Sequence, residues 1–284
     1  MRNGPRGIAF HHPSGGANRK NCGPFISSLV ARLTRNPILK VLSSMRTHQV
    51  RALLMGGQAC VFYGAAEFSR DTDLAILASS QNVVRLKKAL EDLQAEVIAV
   101  PPFEAKYLRK GHAVHFRCRH IEALGMRVDV MTKMRGVDPF PKLWTRRTTL
   151  GLDDSSIDLM SLSDLVQAKK TQRDKDWPMV RRLVEVNYFE NRETPTHEQI
   201  RFWFLELRTP ELLIELAAEQ GGISSQLRRQ RPLLELATLQ RKPSLADALL
   251  EEEQREREAD RQYWAPLKKE LETLRHSRAL KEKR

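Results

Sequence analysis

Cysteine is scarce: the 284 residues hold three, Cys22, Cys60 and Cys118. An odd trio builds no disulfide framework and fits a reducing cytoplasm. No apolar run approaches the ~18 residues that would suggest a membrane-crossing helix. The first 24 residues contain no acid and lead into no long apolar stretch, so they do not read as a secretory signal. No tandem repeat is visible. Acidic residues fall short as well, 35 Asp and Glu against 48 Lys and Arg, which leaves a formal charge of +13. The remaining composition, 41% hydrophobic and 29% charged, is that of a globular protein with enough chain for one or two domains.

The charge is uneven. Residues 105–150 carry eleven Lys/Arg and three Asp/Glu, whereas residues 186–240 carry six against eight. A positive field confined to one half of the chain draws polyanions, nucleic acid or a triphosphate, or serves solubility alone. Residues 1–24 are Gly- and Pro-rich with four basic side chains and read as a disordered basic tail.

The most informative stretch is residues 51–77, RALLMGGQACVFYGAAEFSRDTDLAIL. Ala52, Leu53, Leu54 and Met55 make an uninterrupted apolar run, as a buried strand does. Gly56 and Gly57 end it and allow a sharp turn that could come close to a phosphate. A helix opening at Gln58 would point its free N–H groups at the same place. Asp71 and Asp73 then precede the apolar run Leu74-Ala75-Ile76-Leu77. Residues two apart on a strand share a face, so both carboxylates project together. Such a pair suits Mg²⁺, which takes one or two protein carboxylates plus substrate phosphates. Two solvated acids at a loop-to-strand junction would have the same spacing. Arg70 is placed to reach a triphosphate or to stand in solvent.

The doubled glycine, a thirteen-residue spacer (58–70) and Asp-x-Asp before an apolar strand resemble the nucleotidyltransferase superfamily of the DNA polymerase β type. The resemblance covers roughly residues 37–187 and is nearest the small bacterial toxin-like and abortive-infection-like members. It implies a third carboxylate on a later strand, and MRVDVMTKM supplies Asp129. Arg127, Asp129 and Met131 would share one strand face, opposite Val128 and Val130. It also implies a basic helical segment after the sheet. Lys169, Lys170, Arg173, Lys175 and Asp176 match that segment, with Lys169, Lys170 and Arg173 expected on the nucleotide phosphates. Where the family usually carries serine after the first glycine, this chain has Gly57.

The expected fold is α+β: a small mixed β-sheet with packed helices, the nucleotidyltransferase fold, followed by an all-α C-terminal region. The expected division is a tail over 1–24, a nucleotidyltransferase domain with trailing helices over 25–193, and a helical region over 194–284. Helices are expected over 25–33, 38–45, 80–94, 162–172 and 177–188, and strands over 96–100, 113–119, 144–152 and 157–160. Phe62, Tyr63 and Phe68 read as core around the glycine turn. Ser161 with Asp164, and Thr196 with Gln199, have the spacing of capping boxes. Beyond them, helices are expected over 198–207, 211–219, 224–240 and 245–264, with a last one starting at Pro266. The charged run LEEEQREREADRQ reads as a solvated helix face, or as a seam for an antitoxin or a second copy. His112, His115, Cys118 and His120 look like zinc ligands, but on a strand they spread over about 27 Å at ~3.3 Å per residue.

The resemblance implies an enzyme that moves an NMP from an NTP, ATP among the candidates, to a hydroxyl. Asp71 and Asp73 would hold Mg²⁺, Gly56 and Gly57 would seat the triphosphate, and Asp129 would bind a second Mg²⁺ or take the acceptor's proton. The acceptor would be tRNA or another RNA, a protein, or a small molecule such as an aminoglycoside. The alternative is a non-catalytic nucleic-acid-binding or antitoxin-like partner that retains the fold.

Overall fold

A computed structural model describes residues 10–11, 37–152 and 155–282. The helix expected over 25–33 lies outside them, as does most of the segment 1–24. Within that segment, Phe10–His11 forms a short strand, β1.

The chain divides into two compact units. The first comprises residues 1–61, 67–165 and 267–284, and the second residues 62–66 and 166–266. The division at Leu165 lies ahead of the linker at 194–196 that composition suggests.

The first unit is built on a mixed sheet of eight strands among the described residues. They are β1, β2 (Ala52–Met55), β3 (Asp71–Ile76), β4 (Glu96–Val97), β5 (Val114–Arg117), β6 (Arg127–Met131), β7 (Thr148–Leu152) and β8 (Ser155–Leu159). Their spatial order is β1-β7-β8-β2-β3-β6-β5-β4. The pairs β2/β8 and β3/β6 are parallel and the other neighbours antiparallel. Leu53, Leu54, Leu74, Ile76, Val128 and Val130 are buried, so the centre of the sheet is the apolar half of each strand. The polar starts of β3 and β6 reach its open end.

Helices α1 (Pro37–Thr47), α2 (Gly56–Phe62, as far as Val61), α3 (Ser80–Asp92), α4 (Ala105–Lys110), α5 (Phe140–Thr145) and α6 (Leu162–Lys169, as far as Leu165) accompany these strands. Asn82 pins α3 to two strand ends, accepting from Arg51 N at 2.7 Å and donating to Arg51 O and Leu77 O at 3.0 and 2.9 Å. The sequence reading extended the 144–152 strand over Trp144, whereas Phe140–Thr145 is helical and β7 starts at Thr148. Pro139 ahead of the helix sets the chain direction there. Arg146 then bonds Asp164 through both oxygens at 2.7 Å, and Asp164 N donates to Ser161 Oγ as a cap at 3.3 Å. Phe68, expected in the core, is 70% exposed.

The second unit is helical: α7 (Trp177–Asn191), α8 (His197–Glu206), α9 (Pro210–Glu219), α10 (Gly221–Leu227), α11 (Leu234–Thr238) and α12 (Lys242–Glu282) as far as Pro266. The Thr196/Gln199 capping box forms, with Gln199 N donating to Thr196 Oγ1 at 3.2 Å and Thr196 N to Gln199 Oε1 at 2.8 Å. Tyr188, Trp203 and Phe204 fill the core, and Trp203 Nε1 finds Asn187 Oδ1 at 2.9 Å. Two expected helix boundaries shift. The single helix over 224–240 is two, α10 and α11, because Pro232 between them cannot donate to a helical ladder. Pro266 starts no new helix; α12 runs through it. From Leu267 that helix belongs to the first unit, where Glu270 meets Lys110 Nζ at 2.5 Å and buried His112 at 3.0 Å.

Candidate active site

The site begins with two adjacent glycines that other side chains crowd. Gly56 closes β2 with φ of +66°, a conformation that costs any residue with a Cβ. A Cβ there would also fall 2.5 Å from Asp73 Cγ and 2.7 Å from Asp73 Cβ, well inside contact distance. At Gly57 a Cβ would fall 2.9 Å from Ser69 Cβ and closer still to Ser69 Oγ. Strand β3 therefore lays a carboxylate over one glycine, and the loop entering it lays a hydroxyl over the next. Gln58 Nε2 holds that loop by donating to Ser69 O at 2.8 Å.

Strand register brings the acids together. Asp71 lies opposite Arg127 and Asp73 opposite Asp129, on neighbouring parallel strands. Across the next strand, Asp129 faces His115 and Arg127 faces Arg117. Paired residues project from the same face at a strand spacing of about 4.8 Å. One face thus carries a row Met55, Asp73, Asp129, His115 and beside it a row Asp71, Arg127, Arg117. The expected grouping of Asp71, Asp73 and Asp129 beside Gly56 is present in the first unit.

Asp129 is not an open ligand, however. Arg127 donates to both of its oxygens at 2.8 Å, and His115 Nδ1 lies 2.9 Å from Oδ1. Burial raises the Asp129 carboxyl, and the hydrogen bonds with His115 and Arg127 outweigh it, leaving the group below its ordinary range. Arg127 is pushed up in turn, first by its bond to Asp129 and further by the charges of Asp71 and Asp73. Among the described residues no group of three or more His, Cys, Asp or Glu is arranged to hold a metal. The sequence contained a hint of the clamp, since Arg127 and Asp129 stand two apart on one strand. The part of His115 could not be read there, because it depends on the pairing of β5 with β6.

The remaining candidates divide. Arg70 is exposed, next to Asp71. Lys169 and Arg173 both bind Asp176, at 3.2 and 2.7 Å, and buried Lys170 meets Glu206 at 2.7 Å. What these three cations do in the structure is hold the second unit together; each has a carboxylate partner there. Of the residues that resembled a zinc set, His112 goes to Glu270, His115 to Asp129, and His120 Nδ1 accepts from Glu122 N at 3.2 Å. Cys118 is buried, which pushes its thiol up to about 11. No helix among the described residues is long and apolar enough to cross a membrane. Comparison of the sequence with protein-family models and with curated proteins finds no match to either.

Proposed function

We propose that this protein is a Mg²⁺-dependent nucleotidyltransferase that transfers an NMP from an NTP to a hydroxyl of an acceptor, RNA such as tRNA or a protein. One observation carries the reading: Asp71, Asp73 and Asp129 share a sheet face at a glycine turn whose first Cβ position is filled by Asp73. The donor set fits one hard cation. Asp71 and Asp73 would hold it, and when bound it supplies positive charge to the phosphate oxygens of the leaving pyrophosphate. A second ion on Asp129 would have to displace Arg127, so the two-ion expectation narrows to one.

Asp129 has a low proton affinity and two occupied oxygens, which makes it a poor base. Its part is to fix Arg127, whose guanidinium is held against Asp129 and His115 and is near enough to Asp71 and Asp73 to be raised by their charges. A preorganised cation there stabilises charge developing on the transferred phosphoryl group. The glycine turn lets the triphosphate approach the backbone closely.

The test is incubation of the full chain with each labelled ribonucleoside triphosphate, Mg²⁺ and either total RNA or lysate protein. Label should enter one acceptor and disappear with Asp71→Ala; label that survives Asp71→Ala overturns the reading. The occupation of Asp129 by Arg127 favours a second reading, a nucleic-acid-binding or antitoxin-like partner without catalysis. Salt-sensitive RNA binding with no label in any acceptor would select it.

A further inference from the structure

We infer that Ser69 supplies the hydroxyl of the polyphosphate seat, donating its O–H to a non-bridging oxygen of the bound triphosphate. The inference rests on the nucleotidyltransferase reading and adds to it a binding residue outside the glycine pair and the acids. Ser69 Oγ stands over Gly57, in the space where a side chain on that residue would go. Gly57 carries no positive φ, unlike Gly56, so its backbone does not demand glycine. The demand comes from Ser69. Ser69 is brought so close that a methyl group at position 57 would force its side chain to shift, and Gln58 Nε2 anchors the carbonyl of the same residue at 2.8 Å.

The hydroxyl's bond within the chain is weak. It donates to Asp71 O at 3.3 Å, at the long end of useful hydrogen-bond lengths. An anionic phosphate oxygen is a stronger acceptor than a backbone carbonyl. The location matters as much. Ser69 is two residues from Asp71, and the glycine beside its own, Gly56, is covered by Asp73. A polyphosphate held between the carboxylate-bound cation and the glycine turn passes this hydroxyl. A neutral donor suits the position, because it adds no charge to compete with the cation on the two acids.

The experiment uses the full chain, Mg²⁺ and the ribonucleoside triphosphate that labels best. Ser69→Ala should raise KM for that nucleotide about tenfold, the usual scale for a hydrogen bond to a charged group, with kcat within about twofold. Ser69→Gly should show the same loss. Combining it with Gly57→Ser places a hydroxyl in the vacated space from the other side and should recover most of the affinity. A Ser69→Ala KM within about twofold of the wild-type value overturns the inference, and so does a swap no better than Ser69→Gly alone. Thermal melting of each variant confirms folding, since only one long hydrogen bond is removed. Asp71→Asn in the same assay separates the two failures. If the wild-type chain transfers label, Asp71→Asn does not, and Ser69→Ala is unaffected, the seat alone is wrong. If the wild-type chain neither binds nor transfers any of the four nucleotides, the nucleotidyltransferase reading falls, and the seat falls with it.

Discussion

Replacing Gly56 with alanine tests the geometry that everything at the site depends on. Two separable costs follow from the structure. The backbone sits at φ +66°, where a Cβ costs about 1–2 kcal/mol. The new methyl would also lie 2.5 Å from Asp73 Cγ. Relieving that overlap by moving a packed side chain costs about 1–3 kcal/mol. Gly56→Ala should therefore destabilise the chain by about 2–5 kcal/mol, read as the change in urea midpoint at constant slope. In melting, that corresponds to roughly 5–20 °C for a chain of this size. The two costs can be separated in an Asp73→Gly background, which removes the three atoms nearest the methyl. There the same substitution should cost only the backbone part, about 1–2 kcal/mol. An equal cost in both backgrounds would show that Asp73 does not lie over Gly56. A loss under about 0.5 kcal/mol in the wild-type background would refute the turn conformation itself.

Further outcomes follow from the ion pairs and the charge distribution. Asp129 has a folded-state pKa below its unfolded value of about 3.9. Its contribution is therefore present above pH ~4 and lost as pH falls through the folded value. Urea unfolding of Asp129→Asn should show lower stability than wild type at pH 6 and a shrinking difference below pH ~4; a constant difference across that window would contradict the assignment. In the second unit, buried Arg231 holds Glu252 at 3.1 and 2.8 Å and donates to Phe204 O at 2.9 Å. Arg231→Met should cost about 3–5 kcal/mol in urea unfolding, and a loss under about 1 kcal/mol would mean the pair is dispensable. If the basic stretch 105–150 contacts single-stranded RNA, the logarithm of the binding constant should fall against log salt with a slope near −0.7 per phosphate engaged; a flat dependence would rule that surface out.

Local chemistry made much of the sheet readable. The apolar run 52–55, the doubled glycine, the alternation at Arg127-Val128-Asp129 and the Thr196/Gln199 cap all appear where the pattern puts them. Each depends on neighbours within a few residues. The misjudged features depend on remote partners. Helix α5 replaced the start of an expected strand, α12 ran through Pro266, and Lys169, Lys170 and Arg173 turned to carboxylates of their own unit.

The sequence by itself determined that two acids share a strand face beside a glycine pair, because side-chain alternation and glycine's lack of a Cβ are properties of the local chain. It also determined the positive charge of the sheet-bearing half. Only the tertiary structure decided which partners Asp129 takes. Parallel pairing of β3 with β6 set Asp129 beside Asp73, and antiparallel pairing of β5 brought His115 to it. The same register let Arg127 close over both Asp129 oxygens. The loop into β3 laid Ser69 over Gly57 by folding back twelve residues later in the chain. Register and loop closure are set by the packing of the whole sheet, so no window of sequence carries them.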